Sequence, residues 1–177
     1  MKNTKMKNIT LSALSLFIGL VSIAQKNYTI KVKVEGLKDS LAFLGSYTGK
    51  NLYFYDTAVV QQDGSFTFTN TDMPHGVYSI IASLTPPNYF DIIVNETNIV
   101  METKMPQLIP NLKIKKSKEN KVFYDYIKYL NKNTTKKTPL IEQRKIAKDS
   151  NDTELVKKLE KEIIEIDKDV LNYQKKI

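Results

Sequence analysis

The stretch from Leu52 to Thr69 reads Leu-Tyr-Phe-Tyr-Asp-Thr-Ala-Val-Val-Gln-Gln-Asp-Gly-Ser-Phe-Thr-Phe-Thr. Two runs of aromatic and β-branched residues flank Asp63-Gly64. Both turn positions tolerate positive φ, so this pair is the strongest hairpin signal in the chain. It is expected to join a strand Leu52–Val60 to a strand Ser65–Thr69. Phe66 and Phe68 alternate with Ser65, Thr67 and Thr69. A period of two sets one face on a core and the other in water.

The pattern repeats in both directions. Tyr28, Ile30, Val32 and Val34 alternate with Lys31 and Lys33 until Gly36. Leu41–Tyr47 follows, closed by the turn-rich Thr48-Gly49-Lys50-Asn51. Beyond the quoted stretch, Met73-Pro74-His75-Gly76 precedes Val77–Leu84. Thr85-Pro86-Pro87-Asn88 precedes Tyr89–Val94, and Asn95-Glu96-Thr97-Asn98 precedes Ile99–Thr103. Seven short strands at intervals of about 8–12 residues predict a sandwich or barrel. The expected fold is mainly β with C-terminal helices. An antiparallel β-sandwich of seven to eight strands spans 25–104. A connector covers 105–116, with an edge strand at Leu112-Lys113-Ile114, and two or three amphipathic helices fill 117–177.

Ser117 is placed to cap a helix from Lys118 to about Leu130, with Val122, Phe123, Tyr126, Ile127 and Leu130 on one face. Asn131–Thr138 reads as a polar loop. Pro139 is placed to open a second helix, Leu140–Lys148, because a first turn tolerates proline. Asn151 or Asp152 caps the last helix. There Leu155, Leu159, Ile163, Ile166, Val170, Tyr173 and Ile177 recur at intervals of three and four, an a/d-like stripe. Glu154–Lys158 and Lys161–Glu165 flank it at i, i+4. The stripe reaches Ile177 with no helix stop signal, so the helix is expected to continue in a longer protein.

Residues 1–24 read as a secretory signal peptide. Lys2, Lys5 and Lys7 form a positive start, Ile9–Ile23 is uncharged and apolar, and Ser22 and Ala24 flank a cut before Gln25. The run is short for a transmembrane span, which needs about 20 apolar residues. The mature chain is expected in the periplasm or cell envelope, soluble after cleavage.

The net charge of +8 is unevenly spread over the 177 residues. Residues 25–103 hold five Lys against eight acids; residues 104–177 hold 18 Lys and one Arg against 11 acids. This asymmetry marks a domain boundary. With no Cys and one His, the sequence excludes a disulfide framework, thiolate metal sites and His-rich metal sites. No cofactor is expected.

Four features bear on chemistry. Asp56-Thr57-Ala58 resembles an aspartic-protease tripeptide, but that chemistry needs a second aspartate from a repeat or dimer, and no second copy exists. An Asp at a strand bend is the simpler reading. His75, between Pro74 and Gly76, reads as a turn residue. The tracts Lys113–Lys121 and Lys128–Lys137, interleaved with Tyr124, Tyr126 and Tyr129, read as a solvated helix face; no nucleic acid is expected, and contact with an anionic membrane surface is unspecific. The rigid loop Pro86, Pro87, Asn88, Tyr89 and Phe90 is the first choice for an interaction site.

Several short motifs occur in one order: Ile30-Lys-Val-Lys-Val-Glu-Gly-Leu37, Leu44-Gly-Ser-Tyr-Thr-Gly49, Tyr55-Asp-Thr-Ala-Val-Val60, Asp63-Gly-Ser-Phe-Thr-Phe68, Pro74-His-Gly-Val-Tyr78, Tyr89-Phe-Asp-Ile-Ile-Val94 and Ser117-Lys-Glu-Asn120 with Phe123 and Tyr126. In this succession the chain, over about 28–177, resembles the N-terminal domain of unknown function that precedes a thioredoxin-like domain in secreted thiol–disulfide oxidoreductases of Gram-negative envelopes. The resemblance implies an accessory β-domain and helical linker. The redox Cys-x-x-Cys of that family has no counterpart here, so no catalytic residue is carried over. The expected function is a non-catalytic accessory domain, with a thioredoxin-like domain or protein as partner. Its last-helix stripe packs on that partner or forms a homodimer. The alternative is a stand-alone binding module for a glycan or peptide.

Overall fold

Eight strands form two four-stranded sheets packed face to face in a computed structural model that describes residues 26–177. The strands are β1 (Asn27–Glu35), β2 (Leu41–Thr48), β3 (Asn51–Val59), β4 (Ser65–Thr71), β5 (Gly76–Leu84), β6 (Pro87–Val94), β7 (Asn98–Lys104) and β8 (Lys113–Lys116). A short helix α1 (Leu108–Asn111) precedes β8, and the long helices α2 (Lys118–Asp149) and α3 (Thr153–Gln174) follow it. The expected signal peptide lies outside the described residues. The fold class agrees with the sequence reading.

The first sheet runs β4-β1-β7-β8 and the second β3-β2-β5-β6. Alternation sends Ile30, Val32, Val34, Phe66, Phe68, Ile99 and Met101 inward from the first sheet; Leu44, Ile80, Phe90, Ile92 and Val94 meet them from the second. Pairing is antiparallel apart from β1 and β7, which run parallel from Thr29 beside Asn98 to Glu35 beside Lys104.

The expected Asp63-Gly64 hairpin is corrected by this topology. The turn forms, with Gly64 N–H donating to Gln61 and Gln61 N–H to Ser65. The strands it joins then diverge, β3 into the second sheet and β4 into the first, beside β1. The turn is a crossing between layers because its outer partners lie in β1. Val34 N–H donates to the Gly64 carbonyl at 2.9 Å, and Lys33 Nζ reaches Asp63 at 3.0 Å. Gly64 has φ +79°, and a Cβ there would sit 2.2 Å from the Val34 carbonyl oxygen, so only glycine fits. Hydrogen bonds from Ser65 Oγ, Lys33 and the Ser65 amide hold the Asp63 carboxyl at about 2.

Two further expectations fail in the helices. No loop breaks the chain at 131–138, and Pro139 lies inside the single helix α2. Proline removes one intrahelical hydrogen bond. Packing on α3 holds the helix through this gap: Lys137 pairs with Asp167, and Tyr129 stacks on Tyr173 with ring centroids 4.0 Å apart. Within α2, the buried Asn133 donates to the Tyr129 carbonyl. The flanking ion pairs of α3 form at i, i+3, Glu154 with Lys157 and Glu165 with Lys168, not with the i+4 partners. Asp152 is the N-cap, accepting from Leu155 N–H.

The start of α2 is tied to the second sheet. Ser117 Oγ accepts from Asn120 N–H, and the Glu96 carboxylate accepts from the Lys118 and Glu119 amides, where a negative charge suits a helix N-terminus. Asn120, fully buried, then closes on edge strand β6. Its Oδ1 accepts from Ile93 N–H at 2.8 Å, and its Nδ2 donates to Ile93 C=O at 2.7 Å. The Tyr124 hydroxyl donates to Asp91 C=O, and burial pushes this phenol well above its ordinary range.

Replacing Asn120 with alanine leaves a buried donor and acceptor unmet, so Asn120→Ala is expected to cost about 1–3 kcal/mol, measured by urea denaturation. Unchanged stability would show that the contact contributes nothing. Asp63 lies below its ordinary 3.8 in the folded chain. Its contribution is therefore present above that value and fades as pH falls towards 2. Carboxyl NMR should place its midpoint near 2; a midpoint near 3.8 would rule out the Ser65 and Lys33 contacts.

Candidate functional site

Strand alternation divides the loop chosen from sequence. Thr85 and Pro86 form the turn between β5 and β6, and Pro87 begins β6. Asn88 Nδ2 donates to the Pro106 carbonyl at 2.9 Å, which ties the turn to the connector. Tyr89 is 51% exposed on the outer face of the second sheet, whereas Phe90 is 1% exposed and belongs to the core. The loop's surface is therefore Pro86, Pro87 and Tyr89, with Phe90 supporting it from below, and of these Pro87 and Tyr89 face the second sheet's outer groove.

These two residues line a groove of about 230 Å³ with Leu52, Tyr53, Phe54, Ile81, Ser83 and Leu84. No lining residue is charged. Gly45 makes room for it: a Cβ at this position would lie 2.7 Å from Leu52 Cδ1 and 3.5 Å from Ile81 Cδ1. Phe54 is held against Phe43, with ring centroids 5.1 Å apart, yet stays 65% exposed. In the sequence, Leu52 to Phe54 carry only the signature of a strand. Their exposure had no sequence signal, because an alternating run looks the same on an open face and a covered one.

Polar groups near this face are engaged structurally. A bulge at Tyr55 shifts the β2–β3 register, so Phe54 opposes Gly45 and Asp56 opposes Leu44. Asp56 therefore sits at a strand bend. Its Oδ1 accepts from Thr57 N–H at 2.7 Å and its Oδ2 from Asn70 Nδ2 at 2.9 Å. Beyond it, a cleft of about 330 Å³ is lined by Ser46, Tyr47, Tyr55, His75, Val77 and Tyr78 among others. His75 Nε2 lies 3.0 Å from the Tyr28 hydroxyl, and the Tyr78 hydroxyl donates to the Pro74 carbonyl. Tyr47 donates to Asp91; burial and then this carboxylate raise its phenol. Among the described residues, no cluster of three or more His, Cys, Asp or Glu is placed to hold a metal.

The stripe on α3 faces α2. Leu159 and Ile163 are buried there, Ile166, Val170 and Tyr173 are half-buried, and Leu155 is 38% exposed. Tyr173 stacks beneath both Tyr126 and Tyr129. Of the tyrosines interleaved with the lysine tracts, Tyr124 enters the sandwich core and the other two meet Tyr173. The expected one-face set on α2 loses Val122, which is 46% exposed, and gains Asn120 and Tyr124. No helix of the described residues is long and apolar enough to cross a membrane.

A family model described as "Domain of unknown function (DUF4369)" matches residues 28–123, more than half of the chain, and the chain belongs to that family. The match covers the sandwich and the first turns of α2, which dock on β6. No curated protein and no solved structure matches the chain.

A charge at the centre of the helical seam has no partner there. Leu159→Asp is expected to separate α3 from α2 at a cost of roughly 3 kcal/mol or more. Circular dichroism should lose helical signal and keep the β contribution. Loss of the β signal would show that sandwich and arm fold as one unit.

Proposed function

We propose that this member of the DUF4369 family is an exported, non-catalytic accessory domain of an envelope thiol–disulfide exchange system. It presents the outer face of its second sheet to a thioredoxin-like partner. The observation that carries the reading is the uncharged groove between Leu52 and Tyr89, on a face whose nearby acids serve the fold. Large exposed apolar patches mark contact surfaces in soluble proteins. The sequence holds no cysteine, so any exchange chemistry belongs to the partner. The order of motifs from Ile30 to Tyr126, and its resemblance to domains that precede thioredoxin-like domains, supports the choice of partner. The basic arm then acts as a spacer whose start is fixed on β6 by Asn120 and Tyr124.

A second reading uses the same groove: a stand-alone module that binds a peptide. Its lining favours apolar side chains over a glycan, because the polar groups are confined to Ser83 and the hydroxyls of Tyr53 and Tyr89.

The test is calorimetric titration of the whole chain with a thioredoxin-like oxidoreductase of the same envelope. Saturable binding that Tyr89→Ala weakens about tenfold, the effect of losing an interface aromatic, supports the accessory role. Binding to a panel of apolar peptides with no response to the oxidoreductase selects the second reading. No binding to either defeats both.

A further inference from the structure

We propose that the free edge of β3 pairs with the same edge of a second copy of this chain, antiparallel, about a two-fold axis at Tyr53. The proposal does not depend on the function above: it concerns the backbone edge of β3, whose residues Leu52, Tyr53 and Phe54 also form one wall of the groove. β3 ends the second sheet and pairs only with β2. The opposite edge, β6, is closed by Asn120 and Tyr124. In the first sheet, edge strand β8 has four residues, three of them lysine, and short charged edges resist pairing. The second half of β3 is held near β4 through Asp56 and Asn70. Residues 51–55 have no such cover, and Leu52, Tyr53, Phe54 and Tyr55 are exposed by 38%, 53%, 65% and 39%. A bare edge with aromatic side chains and no proline or lysine invites another strand.

Charge and register point to a second copy as the occupant. An antiparallel pairing centred on Tyr53 sets Leu52 against Phe54 and Asn51 against Tyr55. Lys50, in the turn at one end of the segment, then lies towards the end of the other copy that carries Asp56, beyond the bulge at Tyr55, so opposite charges sit at each end of the paired segment. Tyr53 faces itself, and no like charges meet. Backbone geometry agrees. The two-residue turn Gly49-Lys50 is closed by the pair Thr48–Asn51. Ladder pairs alternate, so Tyr53 bonds inward to Ser46 while Leu52 and Phe54 aim their N–H and C=O groups outward. In the dimer Leu52 and Phe54 bond each other across the axis. The contact is isologous and closes at two copies.

The basic arms do not oppose it. They are fixed at β6, at the far side of each sheet. Seven strand spacings would separate the two β6 strands, roughly 34 Å, well beyond the screening length of about 8 Å in physiological salt. A paired segment this short is below the size of standard interfaces, so the dimer is expected at roughly micromolar concentrations or above.

The test is sedimentation of the full chain over a concentration series, together with cysteine trapping. A reversible monomer–dimer equilibrium is expected. Phe54→Lys should raise its dissociation constant at least tenfold with an unchanged circular dichroism spectrum. Lys50→Glu should weaken it less, by an amount that shrinks in high salt. The native chain lacks cysteine. Tyr53→Cys should therefore form a disulfide-linked dimer under mild oxidation, since directly opposed residues of this kind lie about 4.5 Å apart at Cα. Tyr89→Cys, also exposed, should not. A monomer at every concentration would overturn the proposal. So would equal trapping of the two cysteine variants, or a monomer that instead captures a synthetic peptide of residues 50–56.

Discussion

One buried amide completes the second sheet. An open edge at β6 would leave backbone donors and acceptors in a partly buried place, where unmet groups are costly. Asn120 supplies both an acceptor and a donor to Ile93, as a neighbouring strand would, and Tyr124 takes the carbonyl two residues earlier. Both side chains come from the first two turns of α2. The contacts that finish the sheet therefore also orient the arm. Glu96 and Ser117 set the start of the helix one step before, by accepting from its first free amides. The direction of α2, and with it the position of α3, follows from these few bonds.

The two sides of the second sheet differ because only one receives the helix. The β6 side is closed and carries the basic arm. The β3 side keeps its backbone edge and its aromatic residues in solvent. The groove across the outer face persists because Gly45 lets Leu52 and Ile81 approach each other while the flanking aromatics stay raised. Acidic groups around it bind hydroxyls and amides of the fold itself. What this face offers is apolar surface and an open backbone edge.

Much of this was legible in the residues. Alternation marked the seven main strands within a residue or two of their bounds, and Leu112-Lys113-Ile114 marked the eighth. Ser117 was an identifiable cap, and the last cap was narrowed to Asn151 or Asp152, because a short side-chain oxygen before an apolar period has few other uses; the structure selects Asp152. The α3 stripe was clear from its spacing. Other features were hidden for physical reasons. Asn131–Thr138 has the composition of a loop, and only packing on α3 keeps it helical through Pro139. Asn120 resembles any polar residue in a first helical turn; its role appears only when Ile93, 27 residues away, is placed beside it. Within the predicted loop, Phe90 turned inward and Tyr89 outward, and the partners of Tyr89 came from β3 and β5.

By itself the sequence determined the class of fold, the change from an acidic β-region to a basic helical one, and the lack of cysteine among its residues, since periodicity, charge and residue type are local properties. Tertiary structure decided the rest. Asp63-Gly64 illustrates the division: the pair dictates a tight turn, because glycine reaches positive φ without strain. Whether the strands leaving that turn pair with each other or separate into two layers depends on which faces must be buried and which edges find partners. Those are settled by β1, on which β4 pairs, and by β2, on which β3 pairs. Register and layer are properties of contacts between distant segments, and no local pattern carries them.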